Sequence, residues 1–173
     1  MKPRRKETSM GVQQGFDLVV LGSGPAGQRA AIQAAKNGKR VAIVEAHSRP
    51  GGACLHWGTV PSKSFRESVY RYSLGSRASR NRTLPEMARL LERRNRVVTH
   101  GADIISDQLG RNGVEWVQGF GRLRDARTVE VLDRRGRVAQ TLRTEYIILA
   151  TGARPVPPPH LAVDGRLVHD PTR

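Results

Sequence analysis

Six residues near the start of the chain, Gly22-Ser23-Gly24-Pro25-Ala26-Gly27, have the types and spacing to hold a phosphate through main-chain groups. Gly22 permits a tight turn, Gly24 lets the backbone approach a pyrophosphate, and Gly27 lets a helix pack closely on a strand. A helix starting here offers unpaired N–H groups and partial positive charge to an anion. Glu45 follows Gly22 by 23 positions. A carboxylate at that spacing can accept hydrogen bonds from both hydroxyls of an adenosine ribose. The chemistry is therefore dinucleotide binding. The motif alone does not separate FAD from NAD, and a glycine turn that binds nothing is the alternative.

A second stretch joins polar, sulfur and glycine residues: Gly51-Gly52-Ala53-Cys54-Leu55-His56-Trp57-Gly58-Thr59-Val60-Pro61-Ser62-Lys63. Cys54 sits near a loop–helix junction, where thiolates are favoured. It is the only cysteine, so an intramolecular disulfide and a Cys-only metal site are excluded. Without a sulfur partner, Cys54 is expected to be a buried packing residue. His56 and Trp57 would contact either a ligand or neighbouring packing. His47, His100, His160 and His169 lack ligand-like spacing, so no metal site is expected.

These groups need elements to position them. Phe16 to Leu21 is a short apolar run, as in a buried parallel strand. Gln28 to Asn37 is Ala-rich and helix-favouring, with Gly38 as its stop. Val41 to Glu45 is a second buried strand. His47 to Gly58 reads as a loop, and Pro61 starts a helix running to about Leu74. Gly75 to Thr83 reads as a linker, and Leu84 to about Leu109 as a longer helix weakened by Gly101. Val114 to Gln118 is a third strand. Residues 119–144 form a small β-meander with strands at 122–123, 128–132 and 138–142. Tyr146 to Ala150 is a fourth parallel-type strand, ending at Thr151-Gly152. The fold class is α/β: a Rossmann-like domain, with helices on a parallel sheet and a meander insertion. Its expected organisation is a disordered basic arm over 1–15, the dinucleotide-binding domain over 16–153 and a Pro-rich exit tail over 154–173.

The charge is lopsided, +15 from 30 Lys and Arg against 15 Asp and Glu. The densest part, 62–96, has one lysine and nine arginines against three glutamates, a net of +7. Beyond Tyr70 and Tyr72 it has no interleaved aromatics for base stacking, so nucleic acid is not the expected partner. No apolar run reaches the ~18 residues of a membrane span, and no membrane partner is expected. A reducing cytoplasmic location is the default expectation.

The 51–63 segment resembles the active-site stretch of the flavin-dependent pyridine nucleotide–disulfide oxidoreductases. With Gly22 to Gly27, Glu45 and Ala150-Thr151-Gly152, the resemblance runs from Phe16 to about Pro155. That family places two cysteines four residues apart beside the flavin; here the first position is Cys54 and the second is Thr59. A hydroxyl cannot complete a redox disulfide. The stretch Cys-x-His-Trp-Gly-Thr-x-Pro-Ser-Lys is instead similar to the soluble pyridine nucleotide transhydrogenases, which pass hydride between NADPH and NAD⁺ through FAD.

The resemblance implies FAD as cofactor and NAD(P)H as substrate of the full-length family. It implies cofactor contacts from Gly22, Ser23, Gly24, Pro25, Ala26, Gly27, Glu45, Gly51, Gly52, Ala53, Cys54, Thr59, Lys63, Gly121, Thr151 and Gly152. Cys54 and Thr59 would lie against the closed flavin face, and Gly121 would offer backbone to the adenine. No second glycine-rich nucleotide fold follows residue 27, and the family's later Gly-Asp segment is missing. The expectation is an N-terminal FAD-binding portion, truncated, split or a fragment, inactive alone. It would bind NAD(P)(H) only if the missing domain were supplied. A FAD- or nucleotide-binding module of a split flavoprotein and a dihydrolipoamide dehydrogenase-like relative lacking the redox disulfide stay open, as do a homodimer and a complementing chain. The Gly-Asp segment would also supply a neighbour for Tyr146 to Ala150; without one, that strand is an exposed apolar edge.

Overall fold

The computed structural model describes residues 15–78, 87–154 and 156. The basic arm before Gly15 and nearly all of the Pro-rich tail lie outside the described residues, as does 79–83 of the expected linker. Strand β1 (Gly15–Leu21) enters helix α1 (Pro25–Lys36), and β2 (Val41–Glu45) returns parallel to β1. Then come α2 (Gly52–His56), α3 (Thr59–Ala78), α4 (Met87–Arg111) and β3 (Glu115–Gln118). Strands β4 (Phe120–Asp125), β5 (Thr128–Leu132) and β6 (Val138–Leu149) follow. The six strands form one sheet in the order β3-β2-β1-β6-β5-β4.

β1 and β2 are apolar on both faces because both faces are covered. Leu18, Val20, Val41 and Ile43 pack with Ala31 of α1 and Leu109 of α4. Phe16, Val19, Leu21, Ala42 and Val44 pack with Val129, Val131 and Leu142 of the meander. Val19, Val20 and Ile43 are fully buried, each contributing roughly 1.5–3 kcal/mol of burial. α1 stops at Asn37 and Gly38, whose φ of 74° suits a glycine.

Several expected boundaries are corrected. The meander's last strand and the fourth parallel strand are one strand. In β6, residues 138–143 run antiparallel to β5, and residues from Arg143 onward run parallel to β1. Thr144 and Glu145 carry no turn signal because there is no turn; the strand changes partner, not direction. The loop over 47–58 contains α2. α3 starts at Thr59, two residues before Pro61, which still sits in the first turn where its missing N–H costs nothing. α3 also continues past Leu74, so residues 75–78 are helical, not linker. Gly101 does not weaken α4 into two pieces. A Cβ there would lie 2.7 Å from Leu55 Cδ1, so glycine lets α4 approach α2.

Candidate functional site

The turn after β1 is shaped by contacts that only glycine tolerates. Gly22 has φ of 101°, and a Cβ there would sit 2.3 Å from the Ala150 carbonyl oxygen. A Cβ on Gly27 would lie 1.9 Å from the Gly22 carbonyl oxygen and 3.3 Å from Val20. Gly24 differs: a Cβ there would meet nothing within 4 Å. Its missing side chain is not needed for packing, and it leaves open space at the start of α1. Gly24 is the N-cap residue, no side chain caps the helix, Pro25 opens it and no acid lies in its first turn. A helix end left this way is suited to an anion.

Glu45, at the carboxyl end of β2, faces this turn. One carboxylate oxygen accepts hydrogen bonds from the Ser23 N–H at 2.9 Å and the Ser23 hydroxyl at 2.6 Å. The other accepts from the His47 N–H at 2.9 Å. Burial pushes the Glu45 carboxyl upward. The Ser23 hydroxyl, the His47 and Ser23 amides and the nearby His47 ring outweigh that and hold it below the usual carboxylate range. Glu45 is thus an ionised acceptor aimed at the glycine turn.

The 51–63 segment is docked onto the same place. Gly51 N–H bonds the Ser23 carbonyl at 3.1 Å and the Ser23 hydroxyl at 3.2 Å. A Cβ on Gly52 would come 2.8 Å from the Gly24 Cα. Ala150 N–H bonds the Leu21 carbonyl at 2.8 Å, which sets Thr151 beside Gly22. The structure therefore gathers Gly22 to Gly27, Glu45, Gly51, Gly52 and Thr151 at the carboxyl ends of β1, β2 and β6, the ligand-binding end of such sheets.

Other expected site residues are placed less decisively. Gly121 lies on β4, where a Cβ would be 2.7 Å from Leu21 and 3.3 Å from Val44. Close packing of the meander on β1 and β2 is reason enough for that glycine. Ala53 is exposed in α2, and Cys54 is half-buried there, not the buried packing residue expected. Thr59 and Lys63 are exposed on α3, and among the described residues no hydrogen bond ties either to the glycine turn. Gly152, exposed with φ of 74°, lies just beyond the turn. His56 bonds the Pro50 carbonyl at 2.9 Å, and Trp57 lies edge-on to His47 at 4.8 Å, so both pack locally.

Sequence reasoning missed two contributors. The His47 amide fixes one Glu45 oxygen, and the Gln28 side-chain amide donates to the Ser23 carbonyl at 2.6 Å. The first is a backbone contact and carries no residue signature. The second has a weak one, a polar residue just past Gly27.

A mixed sheet, parallel over β3-β2-β1-β6 and antiparallel over β6-β5-β4, with a glycine turn, an open helix end and an acid at the end of the second strand defines a dinucleotide-binding domain of the Rossmann type. The family described as pyridine nucleotide-disulphide oxidoreductase matches over residues 16–171, and the chain belongs to that family of oxidoreductases. It is 43% identical over 163 residues to soluble pyridine nucleotide transhydrogenases of Mycobacterium bovis and Mycobacterium tuberculosis, covering 90% of this chain and 34% of theirs. The Chromohalobacter salexigens transhydrogenase is 40% identical over 148 residues, covering 83% of this chain and 32% of that one. The chain thus spans about a third of the length of these curated relatives. In fold it is similar to the copper(II) complex of the HOCl-induced flavoprotein disulfide reductase RclA of Escherichia coli. The TM-score is 0.73 at 24% identity, over 87% of this chain and 32% of that one. The cofactor that family membership indicates is FAD, with NAD(P)H as the substrate of the full-length enzymes. No helix among the described residues is long and apolar enough to cross a membrane.

Proposed function

We propose that residues 16–153 form the FAD-binding domain of a transhydrogenase-type flavoprotein, working in a reducing cytoplasm. The observation that carries this reading is Glu45 aimed at a glycine turn whose central residue, Gly24, borders open space. The residues present fit the cofactor. The α1 N-terminus and the Gly24 backbone would take the pyrophosphate, Glu45 the adenosine ribose, and Gly51, Gly52 and Thr151 would line the approach. Cys54, Thr59 and Lys63 would stand nearer the flavin. When bound, FAD supplies hydride transfer between two nicotinamides.

This chain's residues contribute binding and orientation. With Thr59 at the second cysteine position and Cys54 the only sulfur nucleophile, the segment has no internal disulfide to open. That favours transhydrogenation over dithiol chemistry. Binding of the nicotinamide substrate, and turnover, would rest on parts the curated relatives carry in their remaining two thirds.

The 173-residue chain is expected to bind FAD weakly and to show no NADPH-to-thio-NAD⁺ turnover. Gly24→Val tests the site directly. An added Cβ at that position would meet nothing within 4 Å, so the fold should persist while FAD binding falls by at least ~10-fold, the loss from ~1.4 kcal/mol of blocked contact. Unchanged FAD affinity in a folded Gly24→Val protein would reject the reading.

A further inference from the structure

We infer that Ser23 is a positioning residue that sets how the site reads the adenosine ribose; this rests on the FAD-site reading above. Its side chain has 0% exposure and joins three separate segments. The hydroxyl accepts from Gly51 N–H at 3.2 Å and donates to Glu45 at 2.6 Å. The Ser23 amide donates to the same Glu45 oxygen at 2.9 Å. A hydroxyl has one proton to give, and accepting from Gly51 orients that proton toward the carboxylate. The chain Gly51 N–H to Ser23 O–H to Glu45 therefore restrains one carboxylate oxygen, the His47 amide holding the other, and couples the 51–52 turn to it.

A carboxylate offers about four acceptor positions. Ser23 fills two on one oxygen and His47 N–H one on the other. That leaves about one position, so Glu45 as held here can take one ribose hydroxyl and not the two expected from its spacing, and that position is directed because the carboxylate cannot rotate without breaking these bonds. Removing the Ser23 hydroxyl takes away the shortest of the three bonds and loosens the carboxylate, while the Ser23 and His47 amides still hold one oxygen each. The backbone bond from Gly51 to the Ser23 carbonyl at 3.1 Å would remain, so the turn itself is held by other means.

The test compares ADP with 2′,3′-dideoxy-ADP, which lacks both ribose hydroxyls, on the full chain by calorimetry at pH 8. The unaltered protein should prefer ADP by about 10-fold or more, as for a hydrogen bond to a charged group. Ser23→Ala should cut this preference to about 2-fold, a loss of ~1 kcal/mol in discrimination. Ser23→Thr, which keeps the hydroxyl, should retain the preference even if the added methyl lowers both affinities. If Ser23→Ala fails to fold, Ser23→Gly serves as the truncation. A role confined to structure would weaken both ligands equally and leave the ratio unchanged, overturning the inference while the site reading stands. Absence of saturable ADP binding by the unaltered chain would overturn the site reading and this inference together.

Discussion

The glycine turn at the carboxyl end of β1 and the outer edge of β6 are neighbours with opposite character. At the turn, backbone, Ser23 and Glu45 are buried and mutually bonded, and two glycines are fixed by contacts under 2.5 Å to a would-be Cβ. Along β6 beyond Arg143, the described residues pair with β1 on one side only. Tyr146 and Leu149 are 69% and 62% exposed there. An apolar cavity of about 350 Å³ opens beside this edge, between Leu18, Ala34, Tyr146, Ile147 and Ile148. The turn's Ser23 and Glu45 are bonded within the described residues while its helix end stays uncapped, and the edge carries exposed apolar surface. The glycine turn is built by bonds between segments distant in sequence, from Glu45, Gly51 and Ala150.

Substitutions in the two regions should separate them by size of effect. Gly27→Val should have the largest, destabilising by about 3 kcal/mol or more or preventing folding, because the obstacle is the Gly22 carbonyl, not a flexible side chain. Urea unfolding measures it, and a loss under ~1 kcal/mol would show that the turn yields easily. Glu45→Gln should follow at about 1.5–3 kcal/mol near neutral pH, as for hydrogen bonds to a charged group.

The pH dependence has a definite sign. The folded carboxyl lies below its unfolded value, so its contribution is full above the unfolded carboxylate pKa of ~4.3. That contribution is lost as pH falls through the folded value. The stability difference between the two proteins should be constant from about pH 6 to 8 and shrink below about pH 4.

Arg122→Ala, on the exposed β4–β5 surface, removes a two-pronged bond to Glu130 at 2.6 and 3.0 Å. Its cost should be only about 0.2–1 kcal/mol, less at high salt. The smallest stability change, within about 0.5 kcal/mol, is expected for Tyr146→Lys combined with Leu149→Lys. That pair should still lower self-association in light scattering, since charge on an open edge opposes edge pairing. A large stability loss from the edge pair would show that the outer half of β6 is held by internal packing as firmly as the turn.

Much of the site was legible because it depends on spacing. Gly27 serves a steric role within a few residues of chain, against the Gly22 carbonyl and Val20, and Glu45 follows at the length of one strand-helix-strand unit; the obstacle at Gly22 is the distant Ala150 carbonyl, and Gly24 borders open space. The apolar runs of β1 and β2 were equally plain. The boundaries that shifted depend on partners far away in sequence. The continuity of β6 is set by β1 and β5 on opposite sides, and Gly101 is explained by Leu55. Gly121 is explained by Leu21 and Val44.

Residue type at fixed separation was enough to specify the glycine turn, the acid that faces it and the absence of a sulfur partner for Cys54. Three-dimensional packing had to settle that Ser23 bonds Glu45 and Gly51 together, that Gly24 borders space while Gly22 and Gly27 border backbone, and that, among the described residues, the part of β6 beyond Arg143 pairs on one side only. Those outcomes depend on which distant atoms share a contact distance, and one-dimensional spacing does not carry that quantity.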